Sequence, residues 1–232
     1  MVKRSNLLQP LLVSTLASTA IMALVLFAPA RTLNWPSAWI ILGLYVAGTV
    51  LGIIDLSRNG GDLLRERMKP PFQRGQPISD KIVLAVLVLG FYGMIVFAGL
   101  DLFHMHLLRA PPMHIQVLGL VLFFSGWTIA WAGLRENAFA ANVVRLQKER
   151  QQTVVDTGVY RVVRHPMYSG GALVIIGLPL WLGSYAATVF AIIPIASLII
   201  RIAIEEQLLN RELPGYSDYK DRVRSRLIPF IW

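Results

Sequence analysis

Six apolar segments separated by charged stretches constrain the fold of this chain more than any other feature. They run over residues 8–29, 37–56, 82–103, 115–134, 168–183 and 185–204. A helix needs about 20 apolar residues to cross the hydrocarbon core of a bilayer, and only segment 168–183 falls clearly short of that length. The pattern therefore predicts an all-α integral membrane protein with about six transmembrane helices.

The composition supports a membrane protein and excludes several other classes. Hydrophobic residues make up 55% of the chain and charged residues only 15%, which is too little charge to cover the surface of a soluble domain. The net charge of +9 lies in short clusters between apolar runs, so a nucleic-acid partner is not expected. The absence of cysteine excludes disulfides, cysteine-rich zinc sites and thiol nucleophiles. The histidines of loop 104–114 are interpreted as incidental, and no metal site is predicted.

The distribution of Lys and Arg predicts the topology. Six spans place four regions in the cytoplasm: the amino terminus with Lys3 and Arg4, loop 57–81, loop 135–167 and tail 205–232. Apart from Arg31 and Arg109, every Lys and Arg then falls on the cytoplasmic side, in accordance with the positive-inside rule. We therefore expect a multi-pass protein with both termini cytoplasmic, in the inner membrane if the source is bacterial. The run from Leu11 to Ala28 is long for a signal peptide and is interpreted as the first span.

The same segments divide the chain into two parts. Residues 1–135 hold four spans and the cytoplasmic loop 57–81, which we interpret as a solvated connector without a catalytic arrangement. Residues 136–232 hold a cytoplasmic connector (136–167), a helical hairpin (168–204) and a cytoplasmic tail (205–232). Gly183 and Ser184 provide the tight turn of the hairpin, whose short arm is expected to tilt or to end inside the membrane.

Polar side chains cluster in the sequence at both ends of this hairpin. The run Arg164-His165-Pro166-Met167-Tyr168 enters its first arm, and Arg201, Glu205 and Glu206 leave its second arm. The turn brings both sets back to one level of the membrane, so we expect them to converge. Two plainer interpretations stay open: an Arg-rich stretch beside a span is commonly an inside anchor, and residues 201 and 205 are spaced for an intrahelical ion pair.

Four blocks in this region carry a family resemblance. They are Thr157-Gly158-Val159-Tyr160, Arg164-His165-Pro166-x-Tyr168-x-Gly170, Arg201-x-x-x-Glu205-Glu206, and Tyr216-x-x-Tyr219-Lys220 continuing through Val223 to Ile228-Pro229. Through these blocks, residues 138–232 resemble the isoprenylcysteine carboxyl methyltransferase family, in which the blocks occur in the same order and at nearly the same spacing. These membrane methyltransferases are related to phospholipid methyltransferases. The first 135 or so residues match only as generic spans.

The resemblance implies S-adenosyl-L-methionine as the cofactor and assigns residues by position. Its cofactor pocket would comprise Arg145, Gln152, Thr153, Val154, Val155, Tyr160, His165, Pro166, Met167, Tyr168 and Glu205. Arg201 falls where the family has an arginine assigned to substrate and catalysis. The chain departs from the prenylcysteine enzymes at three places: Arg145 replaces a glutamine, Gln152 replaces a histidine, and Leu213-Pro214-Gly215 replaces a Phe-Gly pair.

The expected function is transfer of the methyl group of S-adenosyl-L-methionine to a lipophilic acceptor, a carboxylate such as an isoprenylcysteine-like group. Alternatives are a phospholipid or small-thiol methyltransferase, an NADPH-dependent sterol-type membrane reductase with a related Arg-His-x-x-Tyr block, and a non-enzymatic lipid-binding scaffold or transporter. The expected partners are membrane lipids and a lipophilic small-molecule or lipidated substrate. No obligatory protein partner is evident.

Overall fold

The regular structure of the chain is helical, as the sequence predicted. A computed structural model describes residues 5–59 and 61–232, and no β-strand occurs among them. Lys3 and Arg4, which were counted among the cytoplasmic charges, lie outside the described residues. The helices are α1 (Ser5–Ala30), α2 (Pro36–Asn59), α3 (Gly61–Arg67), α4 (Ile78–Leu100), α5 (Met113–Glu136), α6 (Pro166–Leu182), α7 (Tyr185–Phe190), α8 (Ile192–Glu212) and α9 (Tyr216–Arg222).

Five stretches of helix are long and apolar enough to cross a membrane. They are Gln9–Ala30, Pro36–Asn59, Ile78–Met105, Met113–Glu136 and Tyr185–Glu212. The chain is thus a multi-pass membrane protein. Helix α6 is apolar but has only 17 residues, which is short of the usual spanning length. A sixth span, the hairpin and the side on which each terminus lies remain predictions.

Helix α6 packs most closely on α5, through glycines spaced seven residues apart on both helices. A Cβ atom placed on Gly119 would lie 2.7 Å from the carbonyl oxygen of Gly177, and one on Gly126 would collide with the backbone of Gly170. Small residues allow helix backbones in a membrane to approach this closely. The glycine that ends the Arg-His-Pro block therefore serves the α5–α6 contact, and this contact fixes where the block lies.

The turn between α6 and the last membrane stretch is held from a distant part of the chain. Gly183 adopts a left-handed conformation, with φ of 94°, and the Ser184 hydroxyl accepts a hydrogen bond from the backbone N–H of Ala187. The same hydroxyl donates to the buried Asp101 carboxylate at 2.6 Å. Helix α8 then begins at Ile192, near Pro194, which has no N–H to continue the hydrogen bonding of α7.

Short helix α3 belongs to the packed part of the protein. Its Leu63 and Leu64 join Leu56, Leu134 and Ala140 in a buried apolar cluster. The interpretation of loop 57–81 as a solvated connector was therefore wrong for this segment, because α3 is amphipathic and docks beside the carboxyl-terminal ends of α2 and α5. Its docking brings the end of α3 against residues 140–145 of the connector.

Candidate active site

A cavity of about 450 Å³ opens where α3, the connector, α6, α8 and α9 meet. Eleven of the residues assigned by resemblance line it: Arg145, Gln152, Thr153, Val154, Val155, Tyr160, His165, Met167, Tyr168, Arg201 and Glu205. Pro166 does not line it, because it is buried at the first turn of α6 and packs against Gly133. The volume lies within the range of small-molecule sites. The roles of these residues stay predictions.

The expected convergence of the two hairpin ends occurs, with different pairs from those that the helical spacing suggested. The Tyr168 hydroxyl donates to the Glu205 carboxylate at 2.7 Å. Arg201 does not pair with Glu205. Its Nε donates instead to Oδ1 of Asp80 at 2.8 Å, and its Nη2 donates to the carbonyl oxygen of Asn142 at 2.9 Å.

Asp80 is the fully buried anchor of Arg201, and sequence reasoning missed it. Its second carboxylate oxygen accepts from the side chain of Gln76 at 2.6 Å and from the backbone N–H of Val144 at 3.0 Å. One carboxylate therefore joins the start of α4, the connector and α8. A charge buried at the edge of a membrane is costly unless it is paired, and here each ion supplies the partner of the other. The guanidinium of Arg201 is held at the cavity wall, with the Tyr168 ring 5.9 Å away.

Glu206 fastens the tail of the chain over the site. Its carboxylate accepts from Arg164 at 2.7 Å, lies 3.2 Å from Nε2 of His165, and accepts from Arg226 at 3.0 Å. The backbone N–H groups of Arg164 and His165 also donate to carbonyl oxygens of Ser225 and Arg226. A carboxylate engaged by these donors is a weak general base, so Glu206 is structural rather than a base for the acceptor.

Arg145 lines the cavity but its charge is already neutralised. One Nη donates to the buried Glu66 at 2.7 Å and the other to Glu149 at 2.7 Å. Burial opposes ionisation of Glu66, but hydrogen bonds from Lys69 and Arg145 outweigh it, and the pKa of Glu66 is lowered. The Glu66–Arg145 pair therefore ties α3 to the connector as a charged link that persists at neutral pH.

Three tyrosines complete the wall and remain protonated. Burial raises the pKa of Tyr160, Tyr216 and Tyr219, and nearby carboxylates raise it further. The Tyr219 hydroxyl donates to the carbonyl oxygen of Tyr160 at 2.8 Å, which joins α9 to the connector. The buried Tyr216 hydroxyl has no hydrogen-bonding partner within the part of the chain that the structure describes. It is thus a free polar group at the cavity.

Comparison with known proteins identifies the region that carries this site. Residues 115–214 match the family model of phospholipid methyltransferases. Two probable protein-S-isoprenylcysteine O-methyltransferases, of Oryza sativa subsp. indica and of Oryza sativa subsp. japonica, are each 32% identical to the chain over 123 residues. The carboxyl-terminal half is thus similar to phospholipid methyltransferases and to protein-S-isoprenylcysteine O-methyltransferases. This confirms the resemblance drawn from the four sequence blocks.

The match covers only part of each protein. It takes in 50% of this chain, and the chain spans 62% of the length of the two rice proteins. Several residues at the cavity wall lie outside the methyltransferase family match: Arg67, Pro71, Leu84, Val88, Tyr216 and Tyr219. Asp80 and Glu66, which fix Arg201 and Arg145, also precede it. The amino-terminal half therefore helps to build the site as well as to anchor it.

The residues present fit the cofactor of a methyltransferase. Glu205 supplies a carboxylate for an ammonium group, and its one side-chain partner in the described residues is Tyr168. Within the same residues, the backbone N–H groups of Thr153, Val154 and Val155 find no acceptor, and these three residues line the cavity. A free carboxylate and free amide groups suit the two ends of an amino acid. In addition, no group of His, Asp and Glu in residues 5–59 and 61–232 is arranged to hold a metal ion.

Proposed function

We propose that this protein is an integral membrane methyltransferase that moves the methyl group of S-adenosyl-L-methionine to a lipophilic acceptor bearing a carboxylate, such as an isoprenylcysteine-like group. The observation that carries the proposal is the single cavity in which eleven family-assigned residues meet. The similarity of the carboxyl-terminal half to membrane methyltransferases supports the same reaction class. Localisation of the site at the cytoplasmic face follows from the positive-inside rule and is part of the proposal.

Specific groups of this chain would bind the cofactor. Glu205 would accept hydrogen bonds from its ammonium group, and the N–H groups of residues 153–155 would donate to its carboxylate. Tyr160 and Tyr168 would pack against its adenosine, as aromatic side chains commonly do in such sites. When bound, this cofactor supplies an electrophilic methyl group on a sulfonium. Glu205 then has a second role, because its negative charge favours a cationic ligand in the cavity.

The acceptor would be positioned by Arg201. A carboxylate is already a nucleophile at neutral pH, so no general base is required, and Glu206 is not available as one. Asp80 holds Nε of Arg201 and Asn142 holds Nη2, which restricts the guanidinium to one orientation. A positioned donor aims the acceptor oxygen at the reacting carbon, and such orientation supplies a large share of the catalysis of a displacement reaction.

A phospholipid amine is the second candidate acceptor. The family model that matches residues 115–214 is the phospholipid methyltransferase model, and this observation favours it. An amine needs to lose a proton when it is methylated, and the imidazole of His165, which lines the cavity, would be the group that accepts it. The two candidates differ in product: one gives a base-labile ester and the other a base-stable methylamine.

Cofactor binding is the first test. The detergent-purified protein would be titrated calorimetrically with S-adenosyl-L-methionine and, separately, with NADPH. We expect binding of the first alone, weakened about tenfold or more in Glu205→Gln, because a charge-assisted hydrogen bond is worth about 1.5–3 kcal/mol. Asp62→Asn, at an exposed position of α3, is the matched control and should bind normally. Binding of NADPH alone would support the sterol-type reductase and end the methyltransferase proposal.

Arg201 is tested by its conservative replacement. Arg201→Lys keeps a positive charge beside Asp80 but loses the planar pair of donors. We expect normal cofactor affinity and a lower kcat for methyl transfer from labelled S-adenosyl-L-methionine to lipid extract, with the product sorted by its stability in base. A kcat equal to that of the unmodified protein would refute the role of Arg201.

A further inference from the structure

A second cavity lies beside the first, between the membrane helices. It has a volume of about 440 Å³ and is framed by the inner halves of α1, α2 and α5. Its walls are mainly apolar, with Leu11, Ile53, Trp127 and Trp131 among them. The helices around it expose large apolar side chains such as Leu12, Leu16 and Leu51 to their surroundings, which places the cleft within the hydrocarbon layer.

Glycines shape this cleft. A Cβ atom on Gly48 would collide with the Trp127 ring, and one on Gly52 would lie 3.2 Å from the Trp131 ring. The two indole rings thus rest on the bare backbone of α2. Because the rings are packed in place, the apolar cleft beside them is preformed.

The two cavities meet at Arg67 and Met167, which line both of them. Arg67 is the last residue of α3, and Met167 lies in the first turn of α6. The apolar cleft therefore leads from the membrane helices to the cavity that holds Arg201 and Glu205. Any molecule that occupied both cavities would pass directly by the Arg67 side chain.

Arg67 differs from the other arginines at this place. Arg145 and Arg201 each contact a buried carboxylate, whereas no carboxylate of the described residues lies within 4 Å of the Arg67 guanidinium. Its side chain makes one long hydrogen bond, of 3.3 Å, to the carbonyl oxygen of Ala140. Burial lowers its pKa, as expected for a cation that has lost water without gaining an anion. The site therefore has one cation whose charge is not balanced from within these residues.

We infer that this cleft binds the hydrocarbon chain of an anionic lipophile and that Arg67 binds the anionic group of the same molecule. The inference rests on the proposed function and narrows the acceptor to a lipid carboxylate whose hydrocarbon chain enters this cleft. The chain would lie among α1, α2 and α5, and the carboxylate would pass from Arg67 to Arg201. Recognition of the acceptor would then come in part from Arg67, α1 and α2, which precede the residues that match the methyltransferase family.

The charge of Arg67 also distinguishes the acceptor from its product. In the transfer, a carboxylate oxygen forms a bond to the methyl carbon as the bond from that carbon to the sulfonium sulfur breaks, and the sulfur keeps the electron pair. The acceptor enters as an anion and leaves as a neutral ester. A cation at the junction of the two cavities holds the first and not the second, so Arg67 favours substrate binding and product release together.

Binding of a fluorescent fatty acid tests the inference. The probe is cis-parinaric acid, a long-chain polyene carboxylic acid that accepts excitation energy from tryptophan, and Trp127 and Trp131 line the cleft. The full-length protein in nanodiscs would be titrated at mildly alkaline pH with this acid and with its methyl ester. We expect the acid to bind about tenfold more tightly than the ester, the size of one charge-assisted hydrogen bond.

Three variants separate charge from shape. Arg67→Gln should lower the affinity for the acid to that for the ester, while Arg65→Gln, an exposed arginine on the same helix, should leave both unchanged. Thr49→Phe narrows the cleft and should weaken acid and ester alike. Equal binding of acid and ester, or an unaltered preference in Arg67→Gln, would overturn the inference. Titration of the same samples with S-adenosyl-L-methionine distinguishes this failure from failure of the proposed function.

Discussion

The contact between Asp80 and Arg201 provides the strongest stability prediction. Asp80 is fully buried, and its two oxygens accept three hydrogen bonds, from Arg201, Gln76 and the backbone of Val144. In Asp80→Asn one carboxylate oxygen becomes an NH₂ group, so at least one of these three hydrogen-bond donors then faces another donor. The guanidinium of Arg201 is also left with an uncompensated charge. Breaking a buried pair in this way costs about 3–5 kcal/mol.

The measurement is a double-mutant cycle on thermal unfolding in detergent, followed by the near-UV circular dichroism signal. The variants are Asp80→Asn, Arg201→Met and the two combined. Because each single variant strands the partner charge, the double variant should lose much less stability than the sum of the two losses, by about 1–3 kcal/mol. Asp62→Asn, which breaks an exposed pair with Arg65, is the control and should cost about 0–1 kcal/mol. Additive losses would show that the buried pair does not act as a unit.

Two further predictions concern the α5–α6 contact and the link between α3 and the connector. Gly126→Ala should lower the free energy of unfolding by about 1–3 kcal/mol and the Tm by several degrees, because the added methyl group meets backbone that cannot move aside. Gly43→Ala has open space around it and should leave the Tm unchanged. Equal Tm values for the two variants would contradict the packing. Glu66→Gln should remove a stabilisation that depends on pH. The folded-state pKa of Glu66 is lowered, so its ion pair with Arg145 contributes fully above the ordinary pKa of 4.5 and is lost as the pH falls below that value. Unfolding followed from pH 7 to pH 3 should therefore show a smaller loss of stability in the variant than in the unmodified protein, and parallel curves would count against the link.

The cluster at the start of α6 and in the second half of α8 shows how much could be predicted from local sequence alone. The apolar runs predicted the membrane helices because burial in lipid depends on composition within one segment, and five of the runs form helices of spanning length. The Arg-His-Pro block and the Arg201 block lie on either side of the turn at Gly183 and Ser184. Their positions relative to that turn were enough to predict that their side chains converge. The intrahelical pair of Arg201 with Glu205, which the sequence left open as a plainer interpretation, does not form, since a carboxylate distant in the sequence is placed beside the guanidinium instead.

The amino-acid sequence by itself indicated the helical class, five membrane helices and the family resemblance, because each of these depends on short stretches of chain. Through that resemblance it also indicated eleven residues that line the cavity. The tertiary structure alone decided which charges neutralise one another. Arg201 pairs with Asp80 across 121 positions, and Arg145 pairs with Glu66 across 79. At the sequence level Asp80 is only an acidic residue in the first turn of a membrane helix, a favourable place for any carboxylate. Only the packing of α3, α4 and α8 against the connector removes these groups from water, and that loss of water makes their pairing decisive.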